Sequence, residues 1–270
     1  MVAIAWLGWL VPVAGGAISP QHLFEVEVTV ADQLEASRKA AIGPALEQVL
    51  VRVAGNASVL QTEQARALLQ NPAKYLQQYR YFTVPDSQPP VLKLWVRFDA
   101  DLVRQALQQQ GLSYWGSERP DTLVWLAVEE RGSRYLVSAD DDGEVHQQII
   151  QAAKQRGVPV LFPLLDLEDQ ARVRFSDIWG GFFDKVVEAS ARYSPQAVLI
   201  GRLNRSVSGG WTARWHMVVA GQSSSWTTSE SRLGSLLLQG MGDTADRLAS
   251  RFAVTDSGCL LYTSPSPRDL

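Results

Sequence analysis

Two apolar runs constrain the fold of this chain more than any other feature. They are Thr122–Val128 (TLVWLAV) and Ala197–Leu203 (AVLIGRL), and neither alternates between apolar and polar side chains. A strand without alternation needs apolar cover on both faces of its sheet. Helical spacing ending at Gly157 predicts a helix over Glu144–Arg156 between the two runs. Residues 121–254 therefore predict a mixed sheet with two buried central strands and helices on one or both faces.

The rest of this unit is predicted from shorter signals. Glycines at 209, 210 and 221 mark turns of a strand meander, and a long apolar stripe marks a C-terminal helix. The predicted elements are a strand over Val158–Leu165, a helix over Gly180–Tyr193, strands over 211–219 and 223–229, the latter at a sheet edge, and a helix over Ser231–Phe252.

Residues 18–112 read as a separate α+β domain, joined to the second by a linker at 113–120. Pro44 lies inside an otherwise helical pattern and predicts a kink or a break there. The predicted elements are strands over His22–Val30, Tyr75–Val84 and Val91–Phe98, a helix over 32–54, a helix over Thr62–Leu69, and a helix over Asp101–Gln110 capped by Asp99. The predicted fold class is thus α+β, built from two α/β units.

The first 17 residues contain no charged side chain and end in small residues. This pattern predicts a signal peptide cleaved before Ile18 and a periplasmic protein without a stable membrane span. The alternative is an uncleaved signal that anchors the chain to the inner membrane, although Pro12 interrupts a run that is short for a span.

The other end reads differently from a domain terminus. Residues 259–269 (CLLYTSPSPRD) resemble the in-frame translation of a transposase-type sequencing adapter. We therefore expect 255–270 to form a disordered, largely artefactual tail. Because Cys259 is the only cysteine, the preceding chain offers no disulfide and no thiolate ligand.

Composition and the absence of certain motifs argue against several classes of function. The net charge of −3 argues against a nucleic-acid partner. The sequence contains no phosphate-binding loop, dinucleotide-binding glycine motif or nucleophile elbow. The spacing of its three histidines fits no zinc motif. We therefore expect no cofactor and no metal, and we expect the chain not to be an enzyme.

An acidic segment is the best candidate for chemistry. Carboxylates at i, i+3 share a helix face, so a cation site or an acid–base pair is one reading. The other reading is structural: Asp166 caps a helix whose first turn carries acidic residues, and Asp177 caps a helix that begins near Gly180 or bonds the backbone of Gly180 and Gly181. The candidate motif comprises Asp166, Glu168, Asp169, Asp177, Trp179, Gly180 and Gly181.

Two further expectations concern tryptophan and arginine side chains. Trp179 and Trp211 lie beside glycine pairs and are the tryptophans most open to exposure. The basic side chains expected to pair with the acidic segment are Arg52, Arg97, Arg119 and Arg202.

Several separated segments resemble one Gram-negative envelope family. The resemblance is to domain of unknown function 2066 and spans about residues 23–254. Its segments are Leu50–Asn56, Tyr75–Tyr79, Leu94–Asp99, Trp115–Pro120, Pro163–Asp169 and Asp177–Gly181. It implies an envelope location and this architecture, but no catalytic residues.

The order of elements in the second unit is also similar to that of the amino-terminal domain of the Tol translocation protein B. This likeness favours a non-enzymatic periplasmic binding or assembly protein, a scaffold whose partners are envelope proteins or peptidoglycan-associated machinery. The alternative is a small-ligand or cation-dependent enzyme that uses Asp166, Glu168, Asp169 and Asp177.

Overall fold

A computed structural model describes residues 20–85, 89–207 and 209–254. The predicted signal peptide at 1–17 and the predicted tail at 255–270 lie outside the described residues. Within the described ranges the strands form a three-stranded antiparallel sheet and a six-stranded mixed sheet. The α+β class predicted from the sequence is confirmed.

The first sheet has the strand order β1-β3-β2. Three α-helices accompany it, and short 3-10 turns cover Pro20–Phe24, Ala57–Gln61 and Pro72–Tyr75. The elements are β1 (Glu25–Thr29), α1 (Glu35–Ala54), α2 (Glu63–Leu69), β2 (Leu76–Val84), β3 (Val91–Phe98) and α3 (Ala100–Gln109).

We expected a kink or a break at Pro44; helix α1 runs through that residue without interruption, so the break does not occur. A proline in the helix interior removes one backbone hydrogen bond. Here apolar side chains on both sides of it, Ile42 and Leu46 among them, are buried in the core. Their burial stabilises the helix across the missing bond.

The second sheet has the order β5-β4-β7-β8-β9, and β6 pairs with β4. Strands β6 and β7 run parallel to β4, and the other pairs are antiparallel. The elements are β4 (Thr122–Glu130), β5 (Ser133–Leu136), α4 (Glu144–Arg156), β6 (Val160–Leu161), α5 (Leu167–Arg172), α6 (Phe175–Gly180), α7 (Phe183–Ser190), β7 (Ala197–Arg205), β8 (Trp211–Val219), β9 (Gln222–Glu230) and α8 (Leu233–Phe252).

Helices cover both faces of the second sheet. On one face α4 and α8 pack over a core that contains Trp215 and Met241. On the other face the α5–α7 layer packs over β4 and β7 through side chains such as Trp125, Ile178 and Val186. The two apolar runs are therefore buried on both sides, as predicted. No helix in the described residues is long and apolar enough to cross a membrane.

Buried arginines lie where the unit of the first sheet meets the unit of the second. The guanidinium of Arg119 donates to the backbone carbonyls of Arg52, Arg156 and Gly157 at 2.8–3.1 Å. Burial lowers the pKa of Arg119 to about 9, and that of Arg52 to about 10. Trp115, within the segment expected to be a linker, is fully buried beneath Arg119, whose guanidinium lies 4.0 Å from its ring centroid.

Candidate functional site

The acidic segment begins where the chain leaves β6 and enters α5. Asp166 occupies the N-cap position, and its carboxylate accepts a hydrogen bond from the backbone N–H of Asp169 at 3.0 Å. A side-chain oxygen at this position satisfies one of the free N–H groups of the first helical turn. The predicted cap is confirmed.

Asp169 is the most buried carboxylate of the segment, with no exposed surface. One of its oxygens accepts from the backbone N–H of Leu165 at 2.9 Å and from the hydroxyl of Tyr193 at 2.5 Å. Its other oxygen accepts from Arg192 at 3.0 Å. Leu165 has a φ of 52°, a left-handed conformation that side chains disfavour, so the bond from its N–H helps to hold this bend.

Arg192 forms ion pairs with three carboxylates of the segment, those of Asp166, Glu168 and Asp169. It forms a two-pronged contact with Asp166, both N–O distances being 2.8 Å, and its Nη1 lies 3.5 Å from Glu168. Paired N–H donors in this arrangement fix geometry as well as charge. The hydrogen bonds from Arg192 and from the Asp169 backbone hold the pKa of Asp166 well below its usual range, and the same pairing raises the pKa of Arg192.

Tyr193 closes this network. Its hydroxyl donates to Asp169 and accepts from the backbone N–H of Leu164 at 2.9 Å. Burial, together with the bond to Asp169, raises the pKa of Tyr193 to about 12. Because Arg192 and Tyr193 belong to a short 3-10 turn at 191–193, the network ties the loop before α5 to the end of the α7 segment.

Asp177 belongs to a second, separate network. It lies in the first turn of α6, where its carboxylate accepts from the backbone N–H of Arg174 and from Lys185 Nζ, both at 2.8 Å. These bonds, that of Lys185 foremost, lower the pKa of Asp177. Asp177 therefore stabilises the start of its own helix.

Our prediction that Asp177 caps a helix beginning near Gly180 is wrong. Helix α6 ends at Gly180, and Gly181, with a φ of 83°, terminates it in the left-handed conformation. Helix α7 starts after this bend, at Phe183. The predicted helix over Gly180–Tyr193 is thus shortened to α7 and the 3-10 turn at 191–193, because a glycine in the left-handed conformation ends the preceding helix α6.

The tryptophan next to the glycines is half-buried. Trp179 stacks on Phe175 at 5.1 Å between ring centroids, and its carbonyl accepts from Arg202 at 3.0 Å. A Cβ added at Gly180 would lie 2.7 Å from the ring of Phe182, so a larger residue would displace that ring. Trp211 is buried rather than exposed, contrary to our expectation.

The arginines expected to pair with the acidic segment do not do so. Arg97 pairs with Glu25 at 2.7 Å, and Arg202 donates to a backbone carbonyl. Arg52 and Arg119 donate to backbone carbonyls where the two units meet. The partners in the structure are Arg192, Tyr193 and Lys185, none of which we predicted from the sequence. They follow the carboxylates by 8–26 residues, and no local spacing pattern marks them.

The four candidate carboxylates are thus divided between two networks, one on Arg192 and one on Lys185. In the described part of the chain no group of three or more His, Cys, Asp or Glu side chains is arranged to hold a metal ion. The geometry supports a structural role, in which the carboxylates lock the α5–α7 layer onto the sheet.

The same layer exposes large apolar side chains. Leu164 is 47% exposed, Leu167 is 85% exposed and Phe182 is 63% exposed. Each lies within two residues of a member of the candidate motif. Contiguous exposed apolar patches mark protein-interaction surfaces, and these side chains are the candidates for such a patch on this layer.

Comparison with known proteins corrects the family resemblance. The matching family model is described as "Domain of unknown function (DUF8605)", over residues 17–116. It is not domain of unknown function 2066, so that resemblance is wrong. The segments behind it lie mostly at the ends of helices and strands and in the loops between them, where capping and turn-forming residues recur in unrelated proteins. The match covers the first sheet and its helices, and it assigns no activity.

The remaining comparisons add little. No curated protein matches the sequence. Among solved structures, the chain is similar to a formyltetrahydrofolate deformylase from Pseudomonas putida KT2440, at 11% sequence identity over 69% of this chain and 86% of that chain. The TM-score is 0.19, so this likeness carries no argument about fold or function.

Proposed function

We propose that this protein is a non-enzymatic binding or assembly protein, a scaffold of the Gram-negative cell envelope that acts in the periplasm after export. Its partners are envelope proteins or peptidoglycan-associated machinery. The observation that carries the proposal is the α5–α7 layer, where ion pairs occupy the carboxylates while Leu167 and Phe182 remain exposed.

The state of the carboxylates weighs against the enzymatic alternative. A general acid or base works best when its pKa lies near the working pH. The pKa values of Asp166 and Asp177 are instead held below their ordinary value of 3.8 by Arg192 and Lys185. Asp169 has no exposed surface on which to meet a substrate.

The exposed apolar side chains favour protein binding. Leu167 lies in the first turn of α5, directly after the Asp166 cap, and Phe182 lies in the bend between α6 and α7. The two carboxylate networks fix the backbone at both places. A rigid surface loses little conformational entropy when a partner binds, so its apolar contacts yield more net affinity.

The architecture is compatible with this role. The order of elements in the second unit is the basis for its proposed likeness to the amino-terminal domain of the Tol translocation protein B, a periplasmic scaffold. Fold likeness alone does not fix function, so binding must be tested at the surface itself.

A crosslinking experiment tests the proposed surface. A photo-activated residue is placed at Leu167 or Phe182, with Leu34, which is 65% exposed on the first unit, as the matched control. We expect adducts with envelope proteins in a Gram-negative host from the first two positions and not from Leu34. Equal adducts at all three positions, or none at any, would contradict the proposed binding surface.

Export is tested separately. N-terminal sequencing of the protein recovered from a periplasmic fraction should begin at Ile18 or a neighbouring residue. Recovery of the protein only in the cytosol, with Met1 intact, would rule out the periplasmic location.

A further inference from the structure

Sheet edges are the places where a β-protein can add another strand, because their outer N–H and C=O groups lack a partner. In the described residues the edge strands are β1 and β2 in the first sheet and β5, β6 and β9 in the second. Proteins that stay monomeric protect such edges with short strands, charges or bulges. These edge strands differ sharply in this respect.

Four edge strands have these protections. Strand β1 spans five residues and includes Glu25 and Glu27, β5 spans only four residues and β6 only two. Strand β2 is longer, but its pairing is interrupted by a register shift near its start, and Arg80 stands at its middle. Each of these features disfavours pairing with another chain.

Strand β9 has none of them. It spans nine residues, Gln222–Glu230, and pairs with β8 in unbroken register. Its sequence, QSSSWTTSE, contains no proline or glycine, and its only charge is at the last residue. Every second residue of such a strand points its N–H and C=O away from β8. No other described strand pairs with that side.

We propose that β9 pairs with β9 of a second copy of this chain, antiparallel about a twofold axis at Trp226, so that one continuous sheet crosses the dimer. An interface of this kind uses the same surface on both subunits, so β9 must be complementary to itself. Its sequence meets that requirement.

Within the two strands, the register about Trp226 sets no like charges opposite each other. Ser223 faces Ser229 of the partner subunit, and Ser225 faces Thr227 of the partner subunit. Gln222 faces Glu230 of the partner subunit. Arg251 donates to Gln222 Oε1 at 2.6 Å, so its guanidinium stands beside that glutamate. Opposite charges on neighbouring strands stabilise pairing, and the twofold axis repeats this contact at both ends of the strand.

The centre of the strand supplies apolar contact. Trp226 is half-buried, stacks on Trp215 at 6.4 Å between ring centroids, and has the guanidinium of Arg247 4.1 Å from its ring centroid. Pairing about this residue sets two tryptophans opposite each other and covers their exposed parts. Aromatic pairs across strands are among the more favourable ones. Self-pairing of β2 about its middle would instead oppose two copies of Arg80.

Charge substitutions test the proposal. One variant carries Ser223→Lys and Ser229→Lys, and the other carries Ser223→Asp and Ser229→Asp; both side chains are exposed. Each variant alone sets like charges opposite each other across the twofold axis, whereas a mixture of the two sets opposite charges together. The matched control carries two lysines on the β2 edge, Gln78→Lys and Thr83→Lys, which are also exposed.

Sedimentation velocity with reductant present, so that Cys259 cannot crosslink the chains, gives the dissociation constant of the dimer. We expect the unchanged chain and the β2 control to dimerise alike, each β9 variant alone to dissociate at least tenfold more readily, and the mixture to recover dimers. Circular dichroism melts show that the variants are folded. The proposal is overturned if the unchanged chain is monomeric. This holds even if β9 of that monomer binds an extended segment of another protein. It is also overturned by β9 variants that dimerise normally, or by a mixture that does not recover.

Discussion

Replacing Asp169 with alanine removes the centre of the network that holds the α5–α7 layer. The change takes away the acceptor for three donors: the N–H of Leu165, the hydroxyl of Tyr193 and one nitrogen of Arg192. Arg192 keeps its two bonds to Asp166, so it loses least. The N–H of Leu165 and the Tyr193 hydroxyl are left without this partner in a partly buried site.

The expected cost follows from those two groups. A buried donor left without an acceptor costs about 1–3 kcal/mol. Leu165 and Tyr193 are only partly buried, which places each near the lower end of that range. We expect Asp169→Ala to lower the free energy of unfolding by about 2–3 kcal/mol, or the midpoint of thermal unfolding by roughly 5–10 °C for a protein of this size.

Urea unfolding followed by circular dichroism measures this change, with Tyr193→Phe as the matched control. That control removes a single hydroxyl and should cost about 1 kcal/mol. Because the two residues share a bond, the double variant should lose less than the sum of the two single variants. If Asp169→Ala stays within about 0.5 kcal/mol of the unchanged protein, the structural reading of the acidic segment is refuted.

Three further predictions concern the same networks and the junction of the sheets. Asp166→Asn should unfold a little below the unchanged protein, because asparagine keeps the helix cap but loses the two-pronged ion pair with Arg192, and Asp166→Ala should unfold lower still; a rise in melting temperature with calcium or magnesium that Asp166→Asn abolishes would instead indicate a cation site. The pKa of Tyr193 is raised to about 12, so its neutral form stabilises the fold below pH 10, and this contribution is lost as the pH rises toward 12. In thermal melts between pH 10 and 12, Tyr193→Phe should therefore lose stability less steeply than the unchanged protein. An identical slope would contradict the assignment. Arg119→Lys should lower the free energy of unfolding by about 2–4 kcal/mol, because an ammonium group cannot reach all the carbonyls that the guanidinium bonds. If urea unfolding gives the same free energy for this variant and the unchanged protein, the contact between the two units does not depend on Arg119.

Local signals in the sequence predicted much of the secondary structure. Helix α4 occupies the predicted range Glu144–Arg156, and Asp99 caps α3 as expected. Both outcomes depend on residues within one or two turns of the chain: the apolar spacing of a single face, a side-chain oxygen at a helix start, and a glycine at a helix end. The Asp166 cap was predictable for the same reason.

Sequence reasoning failed where a local signal competed with distant contacts. Pro44 predicted a kink or a break in α1, but the buried side chains on either side of it keep the helix continuous. Gly180 and Gly181 were read as a helix start, whereas the left-handed Gly181 ends one helix before another begins. In both cases the packing of the surrounding residues decided between conformations that the local sequence allows.

What the sequence by itself determined is the type of each main element and the demand of β4 and β7 for cover on both faces. The tertiary structure alone decided which side chains meet the carboxylates: Arg192 and Tyr193 reach Asp169 from a turn more than 20 residues away, and Lys185 reaches Asp177 from the next helix. The polar sequence over 223–229 predicted an edge strand there, whereas the tertiary structure decided the edge positions of β1, β2, β5 and β6. The physical reason is range, since helix and strand periods act between near neighbours, while ion pairs and strand order depend on how the finished layers are placed against one another.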